Sequence, residues 1–196
     1  MNHASLPDGF RYAGSMDFMR NRRQIAVIVK LSAALIAIPL LIGLLLRPVA
    51  PSWHLMSKRW YMWPGLFAAL VVYVPLHEMV HGLAMLVLSR GIKPRYGLKL
   101  PYAYAGSSAW FDKGSHAVIA LLPIVLFGIG LTVCALMLPP EWFWPVRIVQ
   151  ISNLSGSAGD LYCVWALHHM KGELLIQDTG VKMRIMKKMS QEKKAL

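Results

Sequence analysis

The segment His77-Glu78-Met79-Val80-His81 sets two imidazoles four residues apart with a carboxylate beside the first. On a helix, positions i and i+4 share a face, so both imidazoles can hold one Zn²⁺ ion while Glu78 projects beside them as a general base. The chemistry this spacing serves is hydrolysis. Neutral imidazoles bind the metal and leave a position for water, and the carboxylate takes the water's proton as it attacks a carbonyl. The motif lies inside an apolar run from Tyr61 to Leu88. Ionisable groups at such a depth cost at least about 2.5 kcal/mol apiece and persist mainly where they pair, bind metal or face water. Three of them within five residues need a common partner. The competing reading is a polar cluster that only hydrogen-bonds between helices.

A hydrolytic zinc site needs a third protein ligand, and Asp160 is the candidate. It lies seventeen residues after Phe143, as His77 lies sixteen after Tyr61, so two apolar runs of the same direction bring both to one depth. Asn153, Ser157 and Asp160 fall at i, i+4 and i+7, a polar stripe on one helical face. Gly156, Gly159, Ser152 and Ser155 leave little bulk, so close approach of this run to another helix is expected. The alternative for Asp160 is a counter-ion to a nearby Arg or Lys. His116, His168 and His169 read as interfacial residues, and His169 reaches a metal only if its helix is displaced.

These residues need a scaffold, and the composition says what kind. Of 196 residues 56% are hydrophobic and 15% charged, yet the net charge is +12. Soluble domains carry about 25% charged residues, so the chain reads as membrane-embedded. Its basic residues cluster between apolar runs, which the positive-inside rule explains better than a nucleic-acid-binding face, so no nucleic-acid partner is expected. Apolar runs at 25–46, 61–88, 116–138 and 143–167 predict an all-α integral membrane protein of about four transmembrane helices, flanked by Trp60, Tyr61, Trp63, Trp142 and Trp144 as an aromatic belt. Lys30 and Arg147 are expected to snorkel.

The predicted organisation is a basic tail over 1–24, the helical domain over 25–167 and a second basic tail over 168–196. Arg20, Arg22 and Arg23 before the first run, Arg90 to Lys113 between the second and third, and Lys182 to Lys194 at the end place both termini in the cytoplasm. Val181, Ile185 and Met189 form a helical stripe that either lies on anionic lipid or belongs to a solvated tail. Between helices two and three, Tyr96 to Ala105 alternate around Pro101 and predict a short strand-like hairpin. It either holds an extended substrate or is a plain surface hairpin. Pro75 bends the second helix, to open a water path or simply to pack. Cys134 and Cys163 read as packing residues roughly 20 Å apart along the membrane normal, too far for a disulfide.

A membrane-embedded H-E-x-x-H, then a loop of short strands, another span, and an Asn with an Asp seven residues on, resembles the small prokaryotic membrane proteins called putative zincin peptidases. More distantly it is similar to site-2 protease-type intramembrane metalloproteases. The resemblance spans about Trp60 to Leu167. It implies that His77, His81 and Asp160 bind zinc, that Glu78 activates water, and that Asn153 positions substrate. The expected function is a zinc-dependent endopeptidase of the prokaryotic cytoplasmic membrane, acting on a membrane protein or transmembrane segment. The alternative is a non-catalytic zinc-binding scaffold or sensor.

Overall fold

The computed structural model describes residues 2–17, 20–99 and 102–189. Its elements are β1 (Phe10–Asp17), α1 (Arg22–Leu46), α2 (Ala50–Lys58), α3 (Met62–Leu88), β2 (Arg95–Lys99), β3 (Tyr102–Gly106), β4 (Phe111–Asp112), α4 (Lys113–Met137), α5 (Phe143–Gly156), α6 (Ala158–His169), β5 (Leu174–Asp178) and β6 (Lys182–Lys188). Leu100, Pro101, Lys193 and Lys194 lie outside the described residues.

Three helices, α1, α3 and α4, are long and apolar enough to cross a membrane. Their outer faces carry apolar side chains such as Leu45, Phe67 and Leu136 at 87, 70 and 80% exposure. So much exposed apolar surface is stable against lipid and not against water. The starts of α1 and α4 are fixed by side chains. Asn21 Oδ1 accepts the Arg23 and Gln24 N–H groups, and Asp112 Oδ1 accepts that of Ser115 at 2.8 Å.

The expected all-α, four-span architecture is corrected in two places. The apolar run at 143–167 is two helices, α5 of 14 residues and α6 of 12, meeting at Ser157. Neither reaches the roughly 20 residues a span requires. Its mean apolarity hid the polar residues Gln150, Asn153, Ser157 and Asp160 that turn inward. The segments expected to be tails instead supply three strands of a four-stranded antiparallel sheet of order β1-β6-β5-β4, whose fourth strand, β4, comes from within the expected helical domain. β6 is a strand where a helical stripe was expected: Met183 and Ile185 are buried while Lys182 and Arg184 are exposed, which is the period of two. β1 and β6 pair from Asp17↔Lys182 to Phe10↔Lys188, joining the two ends of the chain.

The sheet buries its inner face on α6, where Met16, Cys163, Leu167, Leu174, Ile176, Met183 and Ile185 form one core. A second core of Ala84, Met85, Ala109, Phe111 and Ile119 locks β4 between α3 and α4. Both cysteines are free, Cys163 packed in the first core and Cys134 exposed on α4. The hairpin expected between the second and third runs is present as β2–β3.

Two residues expected at the membrane periphery have other surroundings. Arg147 donates to Gln150 Oε1 at 2.7 Å and to the Pro39 carbonyl at 2.9 Å. Trp144 is buried and its Nε1 points to the Pro48 carbonyl at 3.3 Å. Trp60, Tyr61 and Trp63 remain exposed, as belt residues should be.

Candidate metal centre

His77 and His81 are one turn apart on α3, both buried, with their Nε2 atoms 3.2 Å from each other. Asp160, in the first turn of α6, brings Oδ2 to 3.7 Å from His77 Nε2 and 3.5 Å from His81 Nε2. A tetrahedral zinc ion with bonds of about 2.0–2.2 Å separates its ligand atoms by about 3.3–3.6 Å. The observed triangle therefore has the size of one tetrahedral face. Asp160 meets these two imidazoles, and no Arg or Lys pairs with it among the described residues.

The hydrogen bonds behind the imidazoles make the same point. His81 Nδ1 lies 2.8 Å from the Ile119 carbonyl, an acceptor only, so Nδ1 carries the proton. Tyr73 gives its one hydroxyl proton to Asn153 Oδ1 at 2.8 Å and therefore accepts from His77 Nδ1 at 2.6 Å. With both imidazoles neutral, both Nε2 atoms are then left as lone pairs facing each other. A cation between them satisfies that arrangement, and the carboxylate opposite adds the charge that favours it.

Glu78 stands beside the triangle. One ligand atom from each of His77, Glu78 and His81 lies within 4.8 Å of the others. Its Oε2 accepts the Ala105 N–H of β3 at 2.8 Å. That bond fixes a flexible carboxylate by one oxygen and leaves Oε1 for chemistry.

Two cavities open onto the site. One, of about 140 Å³, is lined by Glu78, His81 and Asp160 together with His116 and Asp178. The other, of about 260 Å³, is lined by Tyr73, His77, Glu78, Gly156, Gly159 and Asp160. A Cβ added at Gly156 or Gly159 would meet nothing within 4 Å. These glycines, expected to let helices approach, instead leave open space beside the candidate ligands.

A family model described as putative zincin peptidase matches residues 70–175. The chain belongs to this family. The matched stretch contains His77, Glu78, His81, Asn153 and Asp160. No curated protein and no solved structure gives a match. Membership of a zincin family implies zinc, and the donor set of two imidazoles and a carboxylate suits that ion.

Other candidates lie elsewhere. His169 is exposed, with Nδ1 on the Trp165 carbonyl at 2.8 Å. His116, expected at an interface, is buried 3.6 Å from Asp178 Oδ2. Asn153 is fully buried, with Oδ1 taken by Tyr73 and Nδ2 directed to the Ile124 carbonyl at 3.3 Å. Tyr73 is the residue sequence reasoning passed over, although it lies one helical turn before His77 on the same face. Tyr73→Phe removes the group that orients His77. It is expected to weaken zinc binding about 10–100-fold with the fold intact, as read by competition against a chromophoric chelator.

Proposed function

We propose that this protein is a zinc-dependent endopeptidase that hydrolyses peptide bonds within or beside a membrane. The observation that carries the reading is the convergence of His77 Nε2, His81 Nε2 and Asp160 Oδ2, with the Glu78 carboxylate held alongside. His77, His81 and Asp160 would hold the ion. Zinc, when bound at such a site, supplies Lewis acidity that polarises a carbonyl and makes water nucleophilic near neutral pH.

The rest is done by the chain. Glu78 Oε1 accepts the proton of the attacking water and returns it to the amide nitrogen as the C–N bond breaks. The Ala105 N–H keeps that carboxylate in place throughout. Asn153, with both amide atoms engaged, acts on the site by holding Tyr73 and through it His77, a better fit than a direct grip on substrate. The substrate is a membrane protein or transmembrane segment, because the motif lies inside an apolar helix and only an unwound segment exposes its carbonyl there. The exposed Lys182 and Arg184 of β6 and the basic start of α1 support contact with anionic lipid.

The test is cleavage of a model transmembrane substrate by purified protein in lipid vesicles. Chelator should abolish turnover and stoichiometric zinc should restore it. Zinc-loaded, folded protein that cleaves no member of a substrate panel would favour the non-catalytic zinc protein instead.

A further inference from the structure

We propose that the β5–β6 turn is a positioning element for the reaction, because it clamps the end of β3 and so sets the Ala105 N–H that holds Glu78. The inference rests on the peptidase reading for its kinetic consequence but not for the coupling itself.

Among the described residues, β3 pairs with β2 alone. A two-stranded hairpin is marginal without support, yet this one must hold a catalytic carboxylate through a single 2.8 Å bond. One support is α3, where Tyr96 of β2, paired opposite Ala105, lies so close over Gly82 that a methyl there would collide with its hydroxyl. The other support is the turn. The Ser107 N–H, just past β3, donates to the Asp178 carbonyl at 2.7 Å. Gly180, with φ +83°, lies against the Tyr104 ring, and a methyl on it would stand 2.9 Å from the Ala105 carbonyl oxygen. A methyl on Gly106 would collide with the Thr179 carbonyl. The turn thus meets both the Tyr104 ring and the backbone of Ala105 and Gly106 at close contact, so movement of one moves the other.

The turn is itself anchored. Asp178 Oδ1 accepts the Gly180 N–H at 2.8 Å, while Oδ2 lies 3.6 Å from buried His116 on α4. Three residues further along α4 is Ile119, whose carbonyl holds His81. One helix therefore references both the metal-site imidazole and, through the turn and β3, the general base. Asp178 and Gly180 lie beyond the residues the family model matches.

Gly180→Ala tests this in the full-length protein. It should lower kcat about 10–100-fold, the cost of displacing a reacting group by roughly an ångström, with KM and zinc stoichiometry unchanged. Deuterium exchange of residues 103–107 should quicken about tenfold, as in Glu78→Ala, which removes the same bond from the other side. If the variant does not accumulate as folded protein, Asp178→Asn decides by the same readouts. It keeps the Oδ1 acceptor, weakens the link to His116, and should shift both in the same direction by a few-fold. Unchanged kcat and exchange would overturn the proposal, and so would loss of zinc together with activity, which marks general structural damage. Should zinc-loaded wild type cleave nothing, the peptidase reading fails, and exchange at 103–107 alone decides the coupling.

Discussion

Glu78→Gln is expected to lower kcat by about 10²–10⁴-fold, the usual contribution of a positioned general base, while the protein keeps its zinc. The amide is nearly isosteric with the carboxylate. Its oxygen can still accept the Ala105 N–H that Glu78 Oε2 accepts at 2.8 Å, so the side chain stays where it was. What it loses is the second oxygen, replaced by a nitrogen that donates and cannot take a proton from water. The triangle of His77, His81 and Asp160 is untouched, so metal content should equal that of wild type. KM should change little, because in the proposed mechanism the carboxylate acts on water and not on the bound peptide. Single-turnover cleavage with parallel metal analysis separates these quantities. Cleavage at the wild-type rate would remove Glu78 from the mechanism.

The site was more legible in the sequence than the fold around it, for a physical reason. The i, i+4 spacing of His77 and His81 is a local property of a helix, whereas counting residues to Asp160 assumed a continuous helix that is interrupted at Ser157. Tyr73 obeyed the same rule at i−4 from His77, so the signal was present. The partners that finish the site could not be found this way. The Ile119 carbonyl and the Ala105 N–H are backbone groups that any residue would supply.

The sheet was hidden for the converse reason. Val181 to Met189 fits a helical stripe if Val181, Ile185 and Met189 are selected, and a strand if Met183 and Ile185 are. What decides is pairing with Phe10–Asp17 at the far end of the chain, which no local pattern records. The apparent fourth span failed because length and average apolarity do not register an interruption at Ser157. That interruption starts α6 beside the site and puts Asp160 in its first turn, so the departure from a continuous span is also what delivers the carboxylate.

Asp160→Ala should therefore reduce zinc affinity by more than about 100-fold, beyond the 10–100-fold typical of losing a group behind a ligand. Two imidazoles alone make a poor site, and the charge that compensates the ion is gone. Asp160→Asn should fall between, since it keeps the shape and an oxygen but not the charge. Replacement ligands are scarce among the described residues. His169 is exposed with Nδ1 on the Trp165 carbonyl, and buried His116 faces Asp178. The group within reach is Glu78, which lies within 4.8 Å of both imidazoles by its ligand atom. If Glu78 moved in, the variant would bind zinc and yet lose cleavage, because its base would be consumed as a ligand. Adding Glu78→Gln to Asp160→Ala would then release the metal, whereas Glu78→Gln alone should not. Wild-type zinc affinity in both the Asp160→Ala protein and the double variant would show that neither carboxylate binds the ion, and would overturn the assignment of Asp160.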